Sequence, residues 1–169
     1  MARTLALVFL SAVCVLADSG GGVHWTMPAG WKAEAQRPMR LATYTVAPGG
    51  ECGVYYFGKG QGGGVEANID RWIGQFLQSD GKPSKAAAKI EKRTVHSLPV
   101  TTLDVSGAYT GMAGPTAQPG PAVPGYRMLG AIVEAPEGSI FIKFTGPAKT
   151  IAANHAAFQK MLASMEPMR

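Results

Sequence analysis

The sequence predicts an α+β domain, a mainly antiparallel β-sheet flanked by helices. Three observations carry that expectation. Runs of β-forming residues come in pairs joined by short turns, and strands joined that tightly cannot be parallel. Two segments place apolar residues at helical spacing along one face and polar residues on the other. The resulting order, strands, helix, strands, helix, belongs to a sheet with helices packed over it.

Residues 1–17 read as a signal peptide. Arg3 precedes the apolar run Leu5 to Leu16, and Val15-Leu16-Ala17 ends on a small residue before Asp18, the pattern an export machinery and its peptidase recognise. The run is shorter than the roughly 20 apolar residues a membrane span needs. The expected product is therefore an exported protein, periplasmic or secreted, with no transmembrane helix. An alternative uses Cys14 as a lipid attachment site, although Val13 occupies the place before it. Residues 18–23, rich in glycine, read as a flexible tether, and 24–169 as one domain.

His24 to Trp31 reads as an extended segment closed by the Pro28-Ala29-Gly30 turn. Met39 to Val46 alternates as a strand, Pro48-Gly49-Gly50 breaks it, and Glu51 to Phe57 returns as the second arm of a hairpin. After the glycine-rich Gly58–Gly64 loop, Val65, Ile69, Trp72, Ile73, Phe76 and Leu77 form one apolar face of a helix stopped near Gly81 and Pro83. Glu66 suits the positive end of its dipole. Lys89 to Val95 and Val100 to Thr110 read as strands around a turn at Leu98-Pro99. Residues 111–125 contain four prolines and read as a mobile connection. Tyr126 to Glu134 and Ser139 to Thr145 form a hairpin, its second strand buried on both sides. Pro147 suits the first turn of a closing helix, with Ile151, His155, Phe158, Leu162 and Met165 on its apolar stripe.

Composition bounds the function. The 169 residues carry a net charge of +5, and about 150 of them remain after the leader, enough for one domain. The basic residues are scattered, without the interleaved aromatics of a nucleic-acid groove. The densest group, Lys82, Lys85, Lys89, Lys92 and Arg93, reads as a solvated face or as a surface for an anionic partner. Cys52 is left without an intramolecular partner once Cys14 departs, so the core must hold the fold and Cys52 reads as a small apolar filler.

No constellation specifies chemistry. Gly58, Gly60 and Gly63 satisfy the dinucleotide-binding G-x-G-x-x-G spacing, yet the strand before them is a hairpin arm, so no nucleotide cofactor is expected. His24, His96 and His155 are far apart in sequence, the eight methionines read as packing, and no metal site is expected. No G-x-S-x-G marks a nucleophile, and an inward Asp104 would take Arg127 as an ion-pair partner.

The Trp25 to Trp31 segment with its Pro-x-Gly-Trp turn, followed by a hairpin, a helix, more antiparallel strands and a closing helix, resembles the PsbP-like superfamily of α/β/α sandwiches. The resemblance implies a binding or accessory module, here a bacterial exported member, and does not imply photosynthesis. The expected function is non-enzymatic binding of a protein or small ligand, with Lys59, Gly60, Gln61, Gly62, Trp25 and Trp31 as candidate surface. Two readings stand beside it: a hydrolase or transferase with a pocket near Gly58–Gly64, and anionic-surface binding through Lys82 to Arg93. Oligomeric state is not legible in the sequence.

Overall fold

A computed structural model describes residues 17–111 and 121–168. Residues 1–16 with Cys14, read from the sequence as most of a leader, and most of the proline-rich connection lie outside the described residues. In chain order the elements are β1 (Ala17–Gly20), β2 (Val23–Thr26), β3 (Lys32–Ala33), β4 (Arg40–Val46), β5 (Gly50–Tyr56), α1 (Val65–Ile73), β6 (Phe76–Leu77), a 3-10 turn (Ser84–Ala87), β7 (Lys89–Val95), β8 (Leu98–Tyr109), β9 (Val123–Ala135), β10 (Gly138–Pro147), α2 (Ala148–Ala153), α3 (His155–Ala163) and β11 (Glu166–Pro167).

An eight-stranded antiparallel sheet runs β3-β4-β5-β10-β9-β8-β6, with β7 beside β8, and a three-stranded ribbon runs β1-β2-β11. β10 is central, and its buried residues divide by alternation. Ile140, Ile142 and Phe144 join the core under α2 and α3 with Trp25, Tyr44 and Phe158. Phe141 joins the core under α1 with Ile69, Trp72 and Met128. Each sheet face thus buries its own helix stripe, and the area removed from water supplies the main stabilisation. Trp72 lies flat against Gly130 of β9, where an added Cβ would stand 2.8 Å from its ring.

The structure corrects several expectations, each for a local reason. Residues 18–23 are no tether: β1 pairs with β2 through a two-residue turn in which Gly21 and Gly22 take φ +60° and +78°. That turn needs left-handed backbone, so the glycines specify a hairpin rather than looseness. Helix α1 ends at Ile73, because Gly74 caps it and the Gln75 carbonyl accepts from Thr110 N–H at 2.9 Å. Phe76 and Leu77 leave the helix and pair with Tyr109 and Ala108 of β8.

The β7–β8 turn sits at His96-Ser97, where φ is +44° and +68°, so Leu98 and Pro99 belong to β8. Val123 to Gly125, read as part of the mobile connection, open β9. The closing helix is broken at Asn154, whose amide donates to the Thr150 carbonyl at 2.9 Å and whose Oδ1 accepts from Trp31 Nε1 at 3.0 Å. A side chain that competes with the helical ladder bends it. The break rotates His155 off the apolar stripe into solvent.

Candidate functional site

Trp25 and Trp31, expected at a binding surface, are core residues. Trp25 is wholly buried and Trp31 nearly so. Trp25 Nε1 donates to the Tyr44 hydroxyl at 2.8 Å, which in turn donates to the Asp18 carboxylate. Trp31 packs its ring on Phe144, 4.8 Å between centroids. Burial and the Asp18 contact push the Tyr44 phenol far above the usual tyrosine range, so this chain of bonds is structural. Cys52 is buried as expected, and desolvation drives its thiol far up. It is no nucleophile.

The Gly58–Gly64 loop does border a groove. Lys59, Gly60 and Gln61 are exposed and Gly62 is half-buried. Gln61, Gly62 and Gly63 line one wall of an open groove of about 690 Å³, opposite Met39, Tyr56 and Phe57, with Arg71 at its side. A second stretch, lined by Arg37, Met39, Arg40 and Tyr56 among others, continues it along the edge of β4. Asn68, buried in α1, fixes the loop: its amide donates to the carbonyls of Gly62 and Gly64, both at 2.9 Å, and its Oδ1 accepts from Arg71. A Cβ on Gly62 would stand 2.6 Å from the Phe141 ring. Only glycine lets the loop lie on that aromatic floor.

The facing wall is the turn Arg37-Pro38-Met39-Arg40. Arg40 N–H donates to the Arg37 carbonyl at 3.2 Å and Met39 has φ +63°. Proline followed by positive φ marks a type II turn, which favours glycine in Met39's place. A methionine there costs about 1 kcal/mol, and it is 67% exposed. Sequence reasoning placed Met39 at the start of a strand. The Pro38-Met39 pair was the available signal, but exposure of the side chain is a tertiary fact.

The charges beside this groove are unbalanced. Glu51 serves both Arg40, at 2.7 Å, and Arg37, at 3.2 Å, while Arg40 also lies over the Tyr55 ring at 4.9 Å. Among the described residues neither Arg71 nor Lys143 has a carboxylate partner. Lys143, in the middle of β10, is only 7% exposed. It is flanked by Gly53 and Gly130 on the neighbouring strands and donates to Gln75 Oε1 at 2.9 Å. Burial, then repulsion from Arg71 and Arg40, pulls its ammonium down to about 8.

A further open groove of about 580 Å³ is lined by Glu66, Lys92, Arg93 and Glu134 among others. Asp104, with Lys89, Glu91 and His155, borders a cleft of about 50 Å³, room for a water or two. As expected, Asp104 takes Arg127 bidentately, at 2.8 and 2.6 Å. Along Lys82 to Arg93, Lys82 pairs with Asp80, Lys85 with Asp70 and Lys89 with Glu91, so three of the five cations there are already matched. The strand before the G-x-G-x-x-G spacing is antiparallel to both neighbours, unlike a dinucleotide fold. Among the described residues no helix is long and apolar enough to cross a membrane.

No family model and no curated protein matches the chain. Among solved structures it is similar to cyanobacterial PsbP (CyanoP) from Synechocystis, with a TM-score of 0.54 at 11% identity, covering 96% of this chain and 98% of that one. A Bacteroides thetaiotaomicron structure gives 0.49 at 12% identity, over 89% of this chain and 47% of that one. A Pseudomonas aeruginosa protein of unknown function gives 0.47 at 9%, over 92% and 98%. At such identities the likeness to CyanoP is one of fold, and the chain has the PsbP-like α+β fold.

Proposed function

We propose that this chain is an exported, non-enzymatic binding module of a bacterial envelope, and that it docks its partner in the groove between the Met39 turn and the Gly58–Gly64 loop. The carrying observation is the groove's composition. Its lining holds an exposed methionine, aromatic rings, glycines and arginines, and no carboxylate, imidazole, thiol or aliphatic hydroxyl that could serve as base or nucleophile. The positive φ of Met39 holds its exposed side chain at the mouth of that groove, a backbone outlier that supports the docking reading. The leader-like pattern of residues 1–17 supports export, and cleavage after Ala17 would leave Asp18 in place under Tyr44.

Met39→Gly tests the docking reading. Glycine relieves the positive-φ strain but adds freedom to the unfolded chain, and the two effects nearly offset, so stability in urea titration should change by less than about 1 kcal/mol, while capture of partners from the envelope fraction should fall against wild type. Equal capture by both proteins would refute the groove as the docking site. Terminal sequencing of the protein recovered from culture tests export, with Asp18 expected as the first residue.

A further inference from the structure

We infer that the occupant of this groove is an acidic protein segment, its apolar side chain seated between Met39 and Phe57 and its carboxylates meeting the arginines along the rim. The inference rests on the docking reading and adds the chemistry of the partner. Four cations, Arg37, Arg40, Arg71 and Lys143, stand in and behind the groove, and Glu51 is the carboxylate paired among them. Residues 112–120, the internal stretch outside the described residues, carry no Asp or Glu, so that stretch supplies no counter-charge.

Arg71 is held by Asn68, the same residue that clamps the glycine loop. Its guanidinium is therefore positioned as part of the groove wall rather than left to wander in solvent. Positioned cations without counter-ions lower the affinity of cationic partners and raise that of anionic ones. The apolar lining selects further: a purely charged segment would leave Met39 and Phe57 facing water, whereas a segment mixing acids with aromatic or aliphatic residues covers both. An open groove continuing along β4 suits an extended chain better than a compact small molecule.

Isothermal titration of the mature protein with three synthetic peptides of about twelve residues tests this. One alternates Glu with Phe, one Lys with Phe, and one Glu with Ser. The Glu/Phe peptide should bind, with affinity falling about tenfold between low and moderate salt, and Arg71→Gln should weaken it about fivefold. Arg71→Lys, which keeps the charge, should restore part of the loss. Equal binding of the Lys/Phe peptide, no binding of the Glu/Phe peptide, or indifference to Arg71→Gln would overturn the inference. Glu/Ser binding as tight as Glu/Phe would overturn the apolar anchor. Should Met39→Gly abolish envelope capture while the Glu/Phe peptide fails, docking survives and the acidic partner falls. If Met39→Gly changes neither, the groove itself is wrong.

Discussion

Replacing Lys143 with methionine should change how stability depends on pH, and the size of the change follows from the site. In the unfolded chain a lysine keeps its proton to near its ordinary value of 10.5, whereas in the fold Lys143 releases it near 8. Between those values the unfolded state binds more protons, so stability rises with pH across that window. At neutral pH the folded protein must hold a charged, desolvated ammonium beside two arginines. Relief of that cost between about pH 7 and about pH 10 is worth about 2–3 kcal/mol. Met has a similar length, leaves no large void and carries no charge, so the variant should lack this rise. Losing the partner of Gln75 Oε1 offsets some of the gain, by about 1 kcal/mol, which makes the slope a cleaner readout than stability at one pH. Urea unfolding of both proteins at several pH values, followed by tryptophan fluorescence, gives the comparison. Tyrosines and other lysines titrate in both and cancel. Parallel pH curves for wild type and Lys143→Met would show that Lys143 is not the strained charge described here.

Other outcomes are expected. Gly130→Ala drives a methyl into the Trp72 ring, and with Trp72 buried it should destabilise the domain by about 2 kcal/mol, measured by thermal or urea unfolding; a neutral result would mean α1 can lift from the sheet. Asn68→Ala removes the clamp on the Gly62 and Gly64 carbonyls and on Arg71, and should cost about 2 kcal/mol while speeding proteolysis within 58–64. Cys52 should resist thiol reagents in the native protein and react on unfolding, so rapid native labelling would contradict its burial. His155→Ala, at an exposed position, should change stability by less than about 0.5 kcal/mol.

The sequence made the sheet legible wherever a strand's turn sat in its own residues: Pro48-Gly49 between β4 and β5, and Pro136-Glu137 between β9 and β10. The stripe Ile69, Trp72 and Ile73 likewise identified α1 correctly. Phe76 and Leu77 continued that stripe in spacing, yet Gly74 and the open edge of β8 outcompeted two more residues of helix. Short apolar runs fit either period, and a neighbouring strand decides. Gly20-Gly21-Gly22 misled in the opposite sense, since glycine serves both a loose chain and a left-handed turn. Of the candidate surface, the loop residues Lys59 to Gly62 border the groove, while Trp25 and Trp31 are consumed by the core. Met39, Arg71 and Lys143 take their significance from neighbours far along the chain, Phe57 and Met39 lining one groove with Arg71, and Gln75 lying 68 residues from Lys143, which spacing along the chain cannot reveal.

β11 pairs with β2 at Glu166↔His24, and Met168 N–H donates to the Gly22 carbonyl at 2.8 Å, so the hairpin of β1 and β2 and the last described strand are stitched into one ribbon with β2 in the middle. Trimming either end should therefore loosen the other, and an affinity handle fused directly to residue 168 would tug on the strand that carries Trp25. The same arrangement suggests a circular permutant: a linker from 168 back to 18 would have to cross over β2, which lies between the two strands, and new ends opened within 112–120 would cut none of the described pairings.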